Sequence, residues 1–400
     1  MKEEISQRIR TITSSMFPRL VKLRREFHQY PETAFEEFHT AKRITRELKK
    51  LKLEVKTGIA KTGVVSVLYG NKKGKTVALR ADMDALPVTE QTNVLYKSKI
   101  KGKMHACGHD LHMACVIGAA SILSKIKDDL PGNVKFIFQP SEESGPGGAL
   151  PMVKSGVLKN PDVDGIFAVH TDPSIPVGKM GVKDGVMMAY TSSFDLIILG
   201  KGGHGARPHQ GVDAIQVAAQ VIQGLQTIAS RRTNPLDPVV VSIGVIQGGT
   251  ASNVICDKVL MKGTARTLNK NLAQKIPQMI RQIVSGITRS AGAEFELDYR
   301  FGYPVLINDM KMAKLAREAI AKLYSKKAIF EIKSPVMGGE DFAYFAQEVP
   351  GALLRVGIRN PKKKAVYPWH HPQFNVDESA IEIGTAVLAQ CVYDFLSGSS

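Results

Sequence analysis

Apolar residues recur at intervals of three and four through Ile5, Ile9, Ile12 and Met16, and again at Ile44, Leu48 and Leu51. That period predicts helices over residues 1–55, interrupted at Pro31, whose nitrogen carries no hydrogen to donate. Beyond them the pattern changes to short apolar runs at 64–69, 76–79, 134–138 and 165–169, with a helical stretch at 111–126 between the second and third. Strands alternating with helices predict a largely parallel sheet covered on both faces.

The middle of the chain reads differently. A strand at 193–199 is followed by a helix at 212–230, strands at 239–247 and 257–267, a helix near 272–289 and a strand at 294–300. That order, βαββαβ, is the ferredoxin-like pattern and makes a small domain by itself. Glycine-containing turns at Gly185 and Gly302 bracket it. The α/β pattern then resumes with a helix at 311–323, a strand at 352–357 and a last helix near 378–395. The expected organisation is a discontinuous α/β catalytic domain, 1–187 and 303–400, carrying an inserted ferredoxin-like α+β domain at 188–302.

Length supports this division, because 400 residues exceed one ordinary core. A hydrophobic content of 44% with 23% charged residues is that of a soluble globular chain. No apolar run approaches the roughly 18 residues of a membrane span, and the polar start Met1-Lys2-Glu3-Glu4 lacks a signal-peptide core. Four scattered cysteines, Cys107, Cys115, Cys256 and Cys391, are too few for a disulfide framework. A reduced, cytoplasmic protein is expected.

The net charge of +17 raises the question of a nucleic-acid partner. The basic residues sit in short clusters beside turns, such as Lys72-Lys73-Gly74-Lys75 and Lys362-Lys363-Lys364, and aromatics are only 6% of the chain. Base-stacking platforms are therefore not expected, and the charge reads as solvated surface whose field draws in an anionic substrate.

Ligands of open α/β sheets bind beyond the carboxyl ends of the strands. Four such ends run into metal-binding or acid–base residues: Arg80-Ala81-Asp82-Met83-Asp84, Gln139-Pro140-Ser141-Glu142-Glu143, His170, and a loop with His370 and His371. Each alone has a bland reading as a solvated carboxylate or an ordinary histidine. Their convergence at one sheet edge does not. Cys107 and His109, two apart across Gly108 at the opening of a helix, can turn toward one ion, and the helix dipole favours the thiolate. On an extended backbone Glu142 and Glu143 point opposite ways, so one can hold metal while the other reaches a water acidified by two cations. In the inserted domain, the glycines of Gly200-Lys201-Gly202-Gly203-His204-Gly205 admit a ligand closely, and His204 reads either as a carbonyl-polarising group or as part of a flexible hairpin end. Arg266, beyond Gly248-Gly249-Thr250-Ala251-Ser252-Asn253, has the fork that grips a carboxylate.

Together these segments resemble the hippurate hydrolase and indole-acetyl-amino-acid hydrolase group of the aminoacylase-like metallopeptidase superfamily. The resemblance begins at Arg24-Arg25-Glu26-Phe27-His28-Gln29-Tyr30-Pro31-Glu32 and continues through 80–87, 104–112, Glu142-Glu143, 203–208, Gly338-Gly339-Glu340-Asp341-Phe342 and 370–374. It implies two divalent ions held by Cys107, His109, Glu143, His170 and His370, with Glu142 as general acid/base and Asp84 supporting the centre. His370 is preferred over His371 because it precedes a residue and then Pro-x-Phe. His204, on a lid and dimerisation domain, would stabilise the oxyanion, while Asn253, Arg266, Gly338 and Gly339 would hold the substrate. Many superfamily members have histidine where Asp82 stands and a bridging aspartate where Cys107 falls; this group shares the present version. Thiolate with imidazole and carboxylate admits zinc, cobalt, nickel or manganese.

The expected activity is therefore hydrolysis of N-acyl amino acids, with a metallocarboxypeptidase or dipeptidase as the alternative and a homodimer or homotetramer as the expected assembly. Two rivals are a covalent Cys107 nucleophile, which chelators would spare, and a non-catalytic binding protein, which would show salt-sensitive DNA binding.

Overall fold

Every residue of the Thr76–Asp82 strand is buried, which requires cover on both faces of its sheet. In the computed structural model, which describes residues 2–398, that strand lies inside an eight-stranded sheet. The order is Glu54–Ile59, Gly63–Tyr69, Asn133–Gln139, Thr76–Asp82, Gly165–Pro176, Gly351–Arg359, Met180–Val182 and Ile329–Glu331. The four strands from Asn133–Gln139 to Gly351–Arg359 run parallel. Antiparallel pairs attach the first two strands and Met180–Val182. The fold is thus α/β with a mixed, mostly parallel sheet. Met1, at the start of the polar N-terminal segment, and the two terminal serines lie outside the described residues.

Two strands run three or more residues further than the apolar pattern predicts. The strand expected to end at Leu79 continues to Asp82, and the one expected to end at Val169 continues to Pro176. His170 therefore sits within a strand, opposite Arg355 of Gly351–Arg359, and not on the loop after it. Polar residues can stay in the sheet here because buried partners satisfy them. Arg80 donates from Nε to Gln139 Oε1 at 2.8 Å, from Nη1 to Asp82 Oδ2 at 2.7 Å and from Nη2 to Asp341 Oδ1 at 3.0 Å. A hydropathy pattern ends a strand where polarity begins; the ladder ends where pairing does.

The chain divides into two compact units. One comprises Met1–Gly185, Ile307–Ser334 and Asp341–Ser400; the other comprises Val186–Leu306 and Pro335–Glu340. In the first, the helices Lys2–Gln29, His109–Lys125, Met310–Tyr324 and Ala380–Leu396 pack together. His109–Lys125 is buried from His109 to Leu123, so it runs through the core and needs no polar face. Among the described residues no helix is long and apolar enough to cross a membrane.

The second unit has its own sheet in the order Val239–Gly248, Lys258–Thr267, Tyr190–Leu199 and Glu294–Phe301, antiparallel throughout. Burial alternates strictly along Tyr190–Leu199, as expected of a sheet with one packed face. Phe194, Leu196 and Ile198 on that face meet Val217, Val221 and Leu225 of the Ala214–Leu225 helix and Ile280 of Lys270–Ala291. Asp213 caps the first helix by accepting from the Ile215 N–H at 2.9 Å, and Asn269 caps the second by accepting from Asn271 at 2.9 Å, each worth about 1 kcal/mol. The segment Pro335–Glu340 joins this unit through backbone bonds: Val336 N–H donates to Met187 at 3.1 Å and Ala189 N–H to Gly338 at 2.9 Å. Sequence order gives no hint of that return.

Candidate metal centre

Asp84 lies two residues past the Thr76–Asp82 strand and is buried. Its oxygens divide between two backbone donors: Oδ1 accepts from Glu142 N–H at 2.9 Å and Oδ2 from Glu143 N–H at 3.0 Å. Its main-chain carbonyl accepts from His109 Nδ1 at 2.8 Å. A carbonyl can only accept, so Nδ1 carries a hydrogen and Nε2 is the nitrogen presented to the cluster. The backbone bends at Glu142 and Glu143 and does not run extended there. The two carboxylates consequently converge, against the opposed directions expected from an extended strand: donor atoms of His109, Glu142 and Glu143 lie within 4.8 Å of one another.

Cys107 and His109 flank Gly108, which caps the helix at φ +90°. A Cβ there would stand 2.6 Å from Thr171 Cγ2, so only glycine permits both the turn and the close approach to the strand. Across that approach, Cys107 Sγ is 3.4 Å from His170 Nε2. His170 Nδ1 donates to the Thr171 carbonyl at 2.8 Å, again leaving Nε2 toward the cluster.

His370 adopts φ +65°, its N–H donates to the Ala106 carbonyl at 2.9 Å, and its Nε2 is 3.2 Å from Glu143 Oε2. His371 turns elsewhere. Its ring stacks on Tyr367 with centroids 4.6 Å apart, and its Nδ1 accepts from Gln373 N–H at 3.0 Å.

The electrostatics differ from the expectation of a dipole-stabilised thiolate. Burial, with the Glu143, Glu142 and Asp82 carboxylates, pushes the Cys107 thiol well above its usual range. Burial alone would lower His109, but Asp82, Asp84 and Glu143 raise it to about 10. Burial and the Arg355 charge hold His170 well below the ordinary histidine range. A helix terminus is a weak field beside three nearby carboxylates, and a cation among them would invert the sign for the thiol.

The residues fit divalent cations. His109 Nε2 and Glu143 Oε1 are buried without hydrogen-bond partners and lie 3.7 Å apart. Unsatisfied buried polar atoms are costly unless something binds them. Donor atoms of Cys107, His109 and His170 lie within 4.8 Å of one another, as do those of Cys107, Glu143 and His370. The sulfur belongs to both groups. One soft thiolate with imidazole and carboxylate is a transition-metal donor set.

Asp82, His109 and His112 form a further close group, yet His112 is already committed. Its Nδ1 donates to Asp82 Oδ1 at 2.7 Å, and its Nε2 accepts from Thr171 N–H at 2.8 Å. Sequence reading missed His112 and Thr171. The three-residue interval from His109 to His112 along a helix was the available signal for the first; the second carries none.

The remaining sequence candidates lie in the second unit. His204 is exposed, pairs with Val254 across a two-residue ribbon, and accepts at Nδ1 from Ala206 N–H at 3.0 Å. Gly205 N–H donates to the Asn253 carbonyl at 2.7 Å, which brings His204 and Asn253 side by side. Arg266 is half-buried beside Thr191 on the neighbouring strand, and a Cβ on Gly339 would meet Thr191 Cγ2 at 2.4 Å. Gly338 is tied to Ala189 as described.

A largely buried cluster able to hold cations, gathered from the parallel strands and the loops beyond them, is the centre expected of a metallohydrolase of the α/β class. The chain belongs to the Peptidase family M20/M25/M40, matched over residues 78–394. It is a metal-dependent hydrolase acting on amide bonds. It is 40% identical over 379 residues to thermostable carboxypeptidase 1 of Saccharolobus solfataricus, covering 94% of this chain and 95% of that one. It is likewise 40% identical over 373 residues to N-acetylcysteine deacetylase of Bacillus subtilis, covering 93% and 95%. Among solved structures, a dinuclear metal binding peptidase from the M20 family of Bacillus subtilis superposes with a TM-score of 0.84 at 37% identity, over 96% of this chain and 99% of that one.

Proposed function

We propose that the protein hydrolyses N-acyl amino acids, as in the hippurate hydrolase group, using two divalent ions held by Cys107, His109, Glu143, His170 and His370. The observation that carries this reading is the sulfur of Cys107, common to two donor groups whose other members are the remaining four residues. Bound cations would supply Lewis acidity toward a carbonyl oxygen and lower the pKa of a water. Glu142, whose carboxylate lies within 4.8 Å of His109 and Glu143, takes the water's proton and delivers it to the leaving amide nitrogen. Asp84 holds the Glu142 and Glu143 backbone in place.

In the second unit, His204 is proposed to polarise the scissile carbonyl; its Nδ1 is occupied by Ala206, which directs Nε2 outward. Asn253 and Arg266, with Gly338 and Gly339, are proposed to hold the substrate carboxylate. The edge strand Val239–Gly248 exposes Val240, Val245 and Ile246, which supports a dimer or tetramer formed through this lid. All four cysteines are free and buried, which suits a reducing cytoplasm.

A second reading, cleavage of short peptides from the carboxyl end, is favoured by the carboxypeptidase of Saccharolobus solfataricus; the Bacillus subtilis deacetylase favours the first. Both substrates present an amide beside a carboxylate. The deciding experiment strips the protein with chelator, resupplies manganese, zinc or cobalt, and assays N-benzoyl and N-acetyl amino acids beside dipeptides. Activity should vanish and return with metal, highest on an N-acyl amino acid. Activity that survives stripping would overturn the metal reading in favour of Cys107 as nucleophile.

A further inference from the structure

Thr171 uses each of its polar groups on a different part of the cluster. Its carbonyl accepts from His170 Nδ1 at 2.8 Å, its hydroxyl donates to the Cys107 carbonyl at 2.7 Å, and its N–H donates to His112 Nε2 at 2.8 Å. His112 in turn donates to Asp82. One residue thus links the segment carrying Cys107, the His170 ring and the Asp82–His112 pair.

Trp369, the chain's single tryptophan, braces the same carbonyl. Its indole N–H donates to Thr171 O at 3.2 Å, and its ring meets His170 edge-on, with centroids 5.5 Å apart and planes at 84°. The buried Arg355 guanidinium lies 5.3 Å from the indole centroid in a cation–π contact. Trp369 immediately precedes His370, so the brace also joins the two ends of the proposed ligand set.

We propose that Thr171, braced by Trp369, is the positioning residue that sets the His170 ring and the Cys107 sulfur at the spacing a shared cation requires. It lies outside the proposed ligand set. The proposal rests on the metal reading above. An outer partner of this kind fixes which nitrogen a histidine presents, and its loss commonly weakens metal binding by roughly 10–100-fold.

The test uses Co²⁺ alone as probe on the full-length protein. Affinity is read by competition with a chelator, and Cys107 engagement by the thiolate-to-Co²⁺ charge-transfer absorption. Thr171→Val keeps the shape and the carbonyl but removes the hydroxyl. It should weaken Co²⁺ binding by roughly 10–100-fold and diminish the thiolate band, while Thr171→Ser should restore both. Trp369→Phe should weaken binding by about 10-fold and keep the band, because it acts through His170; it decides the question should the valine variant not fold. A valine variant, or a folded Trp369→Phe, that matches the parent in affinity overturns the proposal alone, as does a serine variant that behaves like valine. A parent protein with no thiolate band overturns the metal reading and this inference with it.

Discussion

Asp84 meets Glu142 through the backbone: Oδ1 accepts the Glu142 N–H at 2.9 Å, while Oδ2 takes the Glu143 N–H at 3.0 Å. One buried carboxylate therefore orients the main chain under both the proposed general acid/base and a proposed ligand. Asp84→Asn replaces one acceptor oxygen by an NH₂ that faces a backbone donor. Turnover and metal affinity should each fall by roughly 10–100-fold. The two are measured by initial rates at saturating metal and by chelator competition; a variant unchanged in both removes Asp84 from the positioning role.

Glu142→Gln keeps the size of the side chain and removes its capacity to move a proton. Turnover should fall by about 10²–10⁴-fold while bound metal stays at the parent level, measured by elemental analysis after gel filtration. Near-parent activity would exclude Glu142 as the proton shuttle.

The two adjacent histidines should separate cleanly. His370→Ala removes the nitrogen 3.2 Å from Glu143 and should lose metal and activity together. His371→Ala, which loses only a stack on Tyr367 and a bond from Gln373, should retain most of both. The reverse result would move the ligand assignment to His371.

Metal binding should release protons. His109, raised to about 10, and Cys107, raised well above its usual range, are both protonated at neutral pH before a cation arrives. A cation must displace those protons, so affinity rises with pH and falls as pH drops. Calorimetry in buffers of different ionisation enthalpy measures the number released, expected to be near two; zero would mean that His109 and Cys107 are already deprotonated before the cation binds.

Glu47 offers a stability test away from the cluster. Burial would raise its carboxyl, but Lys50, Arg43 and Arg19 outweigh it and hold the group down to about 2 from 4.5. A depressed folded-state pKa gives stability that is full above the unfolded value and fades as pH falls toward the folded one. Glu47→Gln should therefore cost about 1–2 kcal/mol at pH 7, with the difference from parent shrinking between about pH 4.5 and 2. Parallel melting curves across that window, with a constant gap, would show that the ion pairs contribute nothing.

The α/β class was legible because it leaves a local trace, and the candidate site residues could be named from the same kind of trace. Helical spacing through Ile5 and Ile9, short apolar runs between helical stretches, and acid or histidine pairs just past apolar runs are properties of neighbouring residues. The strand ends were less legible. Arg80 and Asp82 look like a loop to hydropathy, yet they stay in the sheet because Gln139 and Asp341 accept from Arg80 across 59 and 261 residues, while Asp82 takes Arg80 and His112 as partners.

The sequence by itself determined which residue types stand at the carboxyl ends of the strands, since periodicity and composition act over a few residues. Tertiary structure alone decided which nitrogen His109 and His170 present, that Glu142 and Glu143 converge, and that the Cys107 thiol is raised, whereas the preference for His370 over His371 came from the sequence and agrees with the contact to Glu143. The reason is physical. Hydrogen-bond direction and burial depend on partners brought in from distant segments, such as the Thr171 carbonyl behind His170 and the Asp84 carbonyl behind His109, and a linear pattern records the residue but not what it will face.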